Sequence, residues 1–408
     1  MKSAFLSAVC AAAALVPAPA AAQPARFDDV VRSLRNPDAK VRSSAVRLLR
    51  EAQYPEAIVP MAPLANDPVN EIQLEAIAAE LSFFMVEKVP ERRRVGFVIE
   101  LRNSGGAAGA FDMGPLAVWP KAAPPEVVHE LLKAVDDENS RVRLEAIYAV
   151  GVIGTSGIPA EAEAALIKTL DHYDPAVRAA AARVVARIGV KAAGEALIKA
   201  INDSSRAVRY AAMRALGALG EERAVESLTE QLTYYGKGEG AIAALDALAR
   251  IANPASLPVF TAHLTSKDPQ LRRASAEGLG RLRDTSQVAI LQAGAGNDPS
   301  APVRAAMAFA LEKLGYHYIP RLVDFLPSDE MVLQVQAYLV ELGAGVEKEL
   351  LPRLQEPDEA IRARVAEVLG AIGGDSSVAV LQHHVKDKDR SVVLAAERAV
   401  ERIKLRRG

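Results

Sequence analysis

The chain has 408 residues, too many for one ordinary hydrophobic core, so several domains or a repeat array is required. Half of the residues are hydrophobic but only 5% are aromatic, which points to Ala, Leu, Val and Ile packed between closely spaced helices. Basic residues number 49 against 51 acidic ones, a net charge of −2 that argues against a nucleic-acid binder, whose surface carries excess positive charge for phosphates.

Residues 1–22 read as a cleavable secretory signal. Lys2 supplies the positive start, Ala4 to Val16 the apolar stretch, and Ala20-Ala21-Ala22 the small-residue site before Gln23. Cys10, the single cysteine, leaves with it, so the remainder has no thiol for a disulfide, a nucleophile or a Cys-based metal site. No later stretch is apolar and uninterrupted enough for an integral membrane segment. The expected location is periplasmic or secreted.

Residues 23–81 begin a pattern of paired helices. Asp38, Lys40-Val41-Arg42 and the following apolar positions mark a capped helix, and Gln73 takes the place of Arg42 one period later. Residues 82–124 break the pattern and are read as an insertion. They carry Arg92, Arg93 and Arg94, then Val95-Gly96-Phe97-Val98-Ile99, a glycine-rich turn at 103–106, and Leu116-Ala117-Val118-Trp119 before Pro120. Two readings stand side by side: a hairpin-like or irregular flap on a binding face, and a packed connection that seals two repeats.

Residues 125–408 return to the pattern, most legibly at 174–189. Asp174 is placed to cap, Pro175 sits where a missing N–H costs nothing, and Val177, Ala180, Ala181, Val184 and Ile188 form one apolar face. Arg183 and Arg187 fall outside that face and are expected in water. Gly189 is placed to end the helix in the left-handed conformation. Tyr234-Tyr235-Gly236-Lys237-Gly238 replaces the cap of a later repeat with a glycine-rich turn, and Tyr316-His317-Tyr318 follows Gly315 in another. The C-terminal helix ends in Lys404, Arg406 and Arg407, a solvated finish suited to a capping repeat.

Aligned on Arg178, the pattern returns every 29 to 35 residues at Arg42, Gln73, Arg143, Arg178, Arg209, Ala241, Arg272, Arg304, Leu333, Arg362 and Val393, with one double interval across the insertion. Four residues earlier a polar cap recurs, including Asp38, Asp174, Asp268, Asp329 and Asp358. A unit of two short helices is too small to bury its own face, so neighbours must stack. The fold expected is an all-α, α-α solenoid of about eleven helix pairs with one irregular or hairpin-like insertion. At about 10 Å per stacked pair it extends on the order of 100 Å as a curved rod.

The Asp, Val-Arg and Ile/Leu-Gly signature at Asp174, Val177-Arg178 and Ile188-Gly189 resembles the HEAT repeat family, in its short bacterial, phycobilisome-lyase-like form. The resemblance spans nearly all of residues 27–405, and it implies fold far more than function. It also implies a structural Asp–Arg ladder made by Arg42, Arg143, Arg178, Arg209, Arg272, Arg304 and Arg362 with the cap-region Asp38, Asp174, Asp268 and Asp358. Deoxyhypusine hydroxylase, a HEAT-repeat metal enzyme, uses several His-Glu dyads, whereas only His129-Glu130 matches here. Phosphate loops, nucleophile elbows and His-Glu-x-x-His are absent from the sequence.

These readings converge on a non-enzymatic scaffold that needs no cofactor or metal and binds another protein or peptide along its surface. The residues expected at the contact are the departures from the repeat: Arg92, Arg93, Arg94, Trp119, Tyr234, Tyr235, Tyr316 and Tyr318. The competing expectation is a HEAT-like enzyme or enzyme accessory subunit, lyase-like or metal-dependent, that uses residues of the concave face.

Overall fold

The computed structural model describes residues 26–86 and 106–407. They form an all-α solenoid. Eleven second helices, Ala39–Ala52, Asn70–Ser82, Ser140–Ile153, Pro175–Ile188, Arg206–Leu219, Gly238–Ile251, Pro269–Leu282, Ala301–Lys313, Val332–Leu342, Glu359–Ile372 and Arg390–Leu405, define repeats 1 to 11. Each follows a shorter first helix, such as Pro125–Ala134 in repeat 3 or Gly194–Ala200 in repeat 5.

The local chemistry sets the helix limits. Asp174 Oδ1 accepts from the Ala176 amide at 2.8 Å, and Gly189 closes the helix at φ +87°, a conformation that side chains with a Cβ rarely adopt. Val177, Ala180, Ala181 and Val184 are buried, with Ile188 half-buried behind them. The cap expected at Asp329 is corrected: that helix starts at Val332 after Met331.

Second helices stack directly on one another, and small residues set their spacing. A Cβ on Gly217 would lie 2.5 Å from Ala247 Cα, one on Gly280 2.6 Å from Ala310 Cα, and one on Gly370 2.9 Å from Ala399 Cα. Side chains five residues after the ladder position converge on the inner side, so that Tyr338 Oη of repeat 9 reaches Glu277 Oε1 of repeat 7 at 2.6 Å.

The described part of the insertion holds a short helix, Ala107–Asp112, and a single turn, Pro115–Ala117. Met85 and Val118 form an isolated antiparallel bridge that draws the two ends of the insertion together, with Trp119 N donating to Phe84 O at 2.8 Å. The hydrophobic run at 95–101 lies outside the described residues, as does the signal at 1–22.

The expectation of an extended rod is corrected. Arg402 in the last helix donates to the Pro115 carbonyl at 3.5 Å and to that of Leu116, so repeat 11 meets the segment between repeats 2 and 3. The solenoid has turned back on itself.

Candidate functional site

The ladder arginines build the turns between helices. In every one of the seven, Nη1 donates to the carbonyls six and five residues earlier, as Arg178 does to His172 at 2.8 Å and Tyr173 at 3.2 Å. The other side of the guanidinium reaches the next repeat. Arg42 pairs with Asp67, Arg178 with Asp203, Arg272 with Asp298 and Arg362 with Asp387, each through Nε and Nη2. Such a fork satisfies both carboxylate oxygens.

The identity of the acidic partner differs from the sequence reading. Asp38, Asp268 and Asp358 accept from the amides of Lys40, Gln270 and Ala360, so they act as helix caps. The clasp uses the residue two positions before the cap of the following repeat. Asp174 is the exception that does both, taking Arg143 Nη2 at 2.6 Å. Arg143 holds its carboxyl below the usual range against the opposing effect of burial.

Two ladder arginines find aromatic partners where the acid is missing. Arg209 Nε donates to Tyr235 Oη at 2.8 Å, and Arg304 lies 5.9 Å from the Phe325 ring centroid. Tyr235 is half-buried, edge-on to Tyr210, and Gly240 leaves room for its ring. The glycine-rich turn therefore lets a tyrosine take the place of the ladder acid. Its neighbour Tyr234 points outward and is 80% exposed.

Of the other residues expected at a contact, Tyr316 is exposed and Tyr318 half-buried against the core, with the Tyr318 amide donating to Glu312. Trp119 is half-buried, its ring 6.0 Å from the Arg402 guanidinium. Arg92, Arg93 and Arg94 lie outside the described residues.

The inner face carries two side-chain networks that sequence reasoning missed. In repeats 6 to 9, Glu277 is buried and bonds Arg273 at 2.6 Å, Arg281 at 3.2 Å and Tyr338, while Arg273 also takes Asp246 at 2.5 Å and Arg281 takes Glu341 at 2.9 Å. Burial works to raise the Glu277 carboxyl, but the two guanidinium groups outweigh it and hold the group below its ordinary value. Phe309 stacks on Tyr338 with centroids 4.4 Å apart.

In repeats 3 and 4 the network receives a covering segment. Phe111 packs between Tyr148, at 5.3 Å, and the guanidinium groups of Arg183, at 5.0 Å, and Arg187, at 4.0 Å. Arg187 Nη2 donates to the Phe111 carbonyl at 2.8 Å, Arg183 donates to Tyr148 Oη at 2.9 Å, and Arg183 also pairs with Asp112. The expectation that Arg183 and Arg187 stand in water is corrected in part: residues 111 and 112 pack over both, although the Arg183 side chain keeps 40% of its exposure. Burial, then repulsion from Arg183, lowers the Arg187 pKa.

Shallow grooves lie along the first helices. One of about 510 Å³ runs along Leu264, Ile290, Gly294 and Met307, and another of about 410 Å³ along His129, Lys133, Pro159 and Glu161. Among the described residues no three His, Cys, Asp or Glu side chains converge as metal ligands, and no helix is long and apolar enough to cross a membrane.

A family model described as HEAT repeats matches residues 163–234, 237–312 and 319–405, more than half of the chain. No curated protein matches the sequence. Similar solved structures include an engineered protein, at 22% identity over 93% of this chain and 98% of that one, with a TM-score of 0.40. A designed armadillo repeat protein in complex with the peptide (KR)4 is similar at 18% identity over 62% and 98% of the two chains, TM-score 0.34. The complex of CpcE and CpcF of phycocyanin lyase from Nostoc sp. PCC7120 is similar at 18% identity over 69% and 97%, TM-score 0.37. None of these likenesses bears on what this chain binds.

Proposed function

The chain belongs to the HEAT-repeat family, and from that premise we propose that it is an exported, non-enzymatic scaffold whose inner face holds a segment of another protein or peptide. One observation carries this reading. The inner-face arginines Arg187 and Arg402 donate to main-chain carbonyls at the end of the Ala107–Asp112 helix and in the turn that follows it, rather than only to side chains. A surface that grips carbonyls in this way recognises a polypeptide as such, and neighbouring side chains then select which one.

Export rests on the pattern of residues 1–22, with cleavage after Ala22. Tyr234, at the end of the first helix of repeat 6, and Tyr316, in the turn between repeats 8 and 9, are exposed and are the outer contacts that fit best with the aromatic composition of binding hot spots. Arg92, Arg93, Arg94, Trp119, Tyr235 and Tyr318 stay in the proposal as residues near the insertion and turns.

The test is in-host photo-crosslinking. A crosslinking residue replaces Arg214 on the inner face in one strain and Glu230 on a first helix in another. Polypeptide adducts in the periplasmic fraction from position 214, on a chain whose N-terminus is Gln23, are expected. Adducts from position 230 alone, or none from either, overturn the reading.

A further inference from the structure

The segment over repeats 3 and 4 fits its site only in part. Phe111 is 4% exposed, and Gly151 leaves it room, since a Cβ there would lie 2.7 Å from the ring. The aromatic part of the site is therefore filled. The electrostatic part is not: Arg183 and Arg187 bring two positive charges, while Asp112 supplies one carboxylate whose side chain is 53% exposed. Arg187 Nη1 is buried without a hydrogen-bond partner. A buried donor left unsatisfied costs on the order of 1–3 kcal/mol. A peptide acceptor at that nitrogen would recover it.

The segment is also held from a distance. Arg402 grips the carbonyls of Pro115 and Leu116 and lies over Trp119, although it is 286 residues from Leu116 in the chain. Release of that side chain removes one tether of the covering segment without touching Tyr148, Arg183 or Arg187, while the Met85–Val118 bridge and the bond from Trp119 N to Phe84 O remain.

We propose that Tyr148, Arg183 and Arg187 form a recognition site for a partner peptide bearing an aromatic residue followed by an acidic one, and that Phe111-Asp112 occupies this site in cis until such a peptide displaces it. The inference rests on the reading of the inner face as a polypeptide-binding surface and names the sequence it selects. The aromatic ring packs between Tyr148 and the two guanidinium groups, where cation–π attraction adds to burial. The following carboxylate meets Arg183, and a further acceptor meets Arg187 Nη1. The covering segment lowers apparent affinity by the fraction of time it occupies the site.

The probe is a fluorescein-labelled peptide, Gly-Ala-Phe-Asp-Met-Gly, titrated by fluorescence anisotropy into the chain from residue 23 to the C-terminus. Phe111→Ala/Asp112→Ala vacates the site and binds at least tenfold more tightly than the parent. Adding Arg187→Ala to that variant removes the gain, and a peptide with Ala in place of Phe and Asp binds to neither. Arg402→Ala, which leaves the pocket intact, also tightens binding and covers the case in which the vacated variant does not fold.

Parent-level binding by both the vacated and the Arg402→Ala variants overturns the proposal, as does a gain that survives Arg187→Ala. Crosslinked adducts from position 214 together with that negative result sink the cis-occupied site and leave the scaffold standing. Tight peptide binding without adducts does the reverse.

Discussion

Arg402 donates a hydrogen bond to the main-chain carbonyl of Leu116, tying the last helix to a segment 286 residues earlier. This contact turns a stack of local interactions into a closed object. Almost every other bond in the fold joins a repeat to itself or to the next one, and a solenoid of that kind has no reason to close. Burial at the junction, with help from nearby Arg406, pushes the Arg402 pKa down to about 10, which still leaves it charged at neutral pH.

Arg402→Ala is therefore expected to loosen the junction and little else. Amide hydrogen exchange of residues 106–119 and of the Arg390–Leu405 helix rises by an order of magnitude or more, corresponding to about 1.4 kcal/mol, while the helices of repeats 5 to 8 keep their protection. Uniform loss of protection along the array contradicts this.

The clasp between repeats predicts a different pattern. Arg362 forks onto Asp387 and also reaches Asp389 at 2.6 Å, while its other nitrogen holds the turn carbonyls of Glu356 and Pro357. Arg362→Ala leaves all of these without their donor and costs on the order of 2 kcal/mol, read by urea unfolding. Arg362→Lys recovers little of it, because a single ammonium cannot make the fork and the two carbonyl bonds together. Full rescue by Lys would show that charge alone matters.

Helix spacing is tested at Gly280. A valine there favours neither the packing nor the helix: its Cβ would start 2.6 Å from Ala310 Cα, so repeats 7 and 8 must separate. Gly280→Val is expected to destabilise by about 1–3 kcal/mol and to weaken the Arg281–Glu341 pair, which reaches across repeat 8 to join repeats 7 and 9. Unchanged thermal stability would show that the stack yields more easily than its geometry implies.

Glu80 gives a pH dependence. Seven residues after the ladder position, the other ten second helices carry Leu or Val, whereas repeat 2 carries Glu80, which is 1% exposed and has no hydrogen-bond partner for either oxygen. Burial raises its carboxyl well above the ordinary value. The folded state then holds a proton that the unfolded state releases near pH 4.3. Stability is greatest below that pH and falls as pH rises through the higher folded value. Glu80→Leu is expected to stabilise the chain at neutral pH by on the order of 1–3 kcal/mol and to flatten the pH profile between 4.5 and 8. A loss of stability at pH 7 on this change contradicts the assignment.

The repeat itself was legible because each of its parts is local. Asp174, Pro175, Val177 and Gly189 announce cap, start, buried face and stop within sixteen residues. The clasp acids were less visible. Asp203 and Asp298 sit two residues before their caps and look like ordinary turn residues until six-residue spacing to Arg209 and Arg304 is noticed. That periodicity was available in the sequence, as was the misfit of Glu80 among Leu and Val. The covering of Arg183 and Arg187 was not: Asp112 and Phe111 lie 71 and 76 residues away, and no local pattern pairs them. Closure by Arg402 is equally non-local, because 286 residues separate it from Leu116.

The central claim is that the solenoid closes on its own segment instead of standing open. Spin labels at positions 114 and 401, attached to cysteines placed in a chain that starts at residue 23, measure this by pulsed electron–electron double resonance. A closed fold gives one narrow, short distance, and Arg402→Ala broadens it. An open rod would separate repeat 3 from repeat 11 by on the order of 80 Å, and a long or featureless distribution in the parent chain would contradict the account.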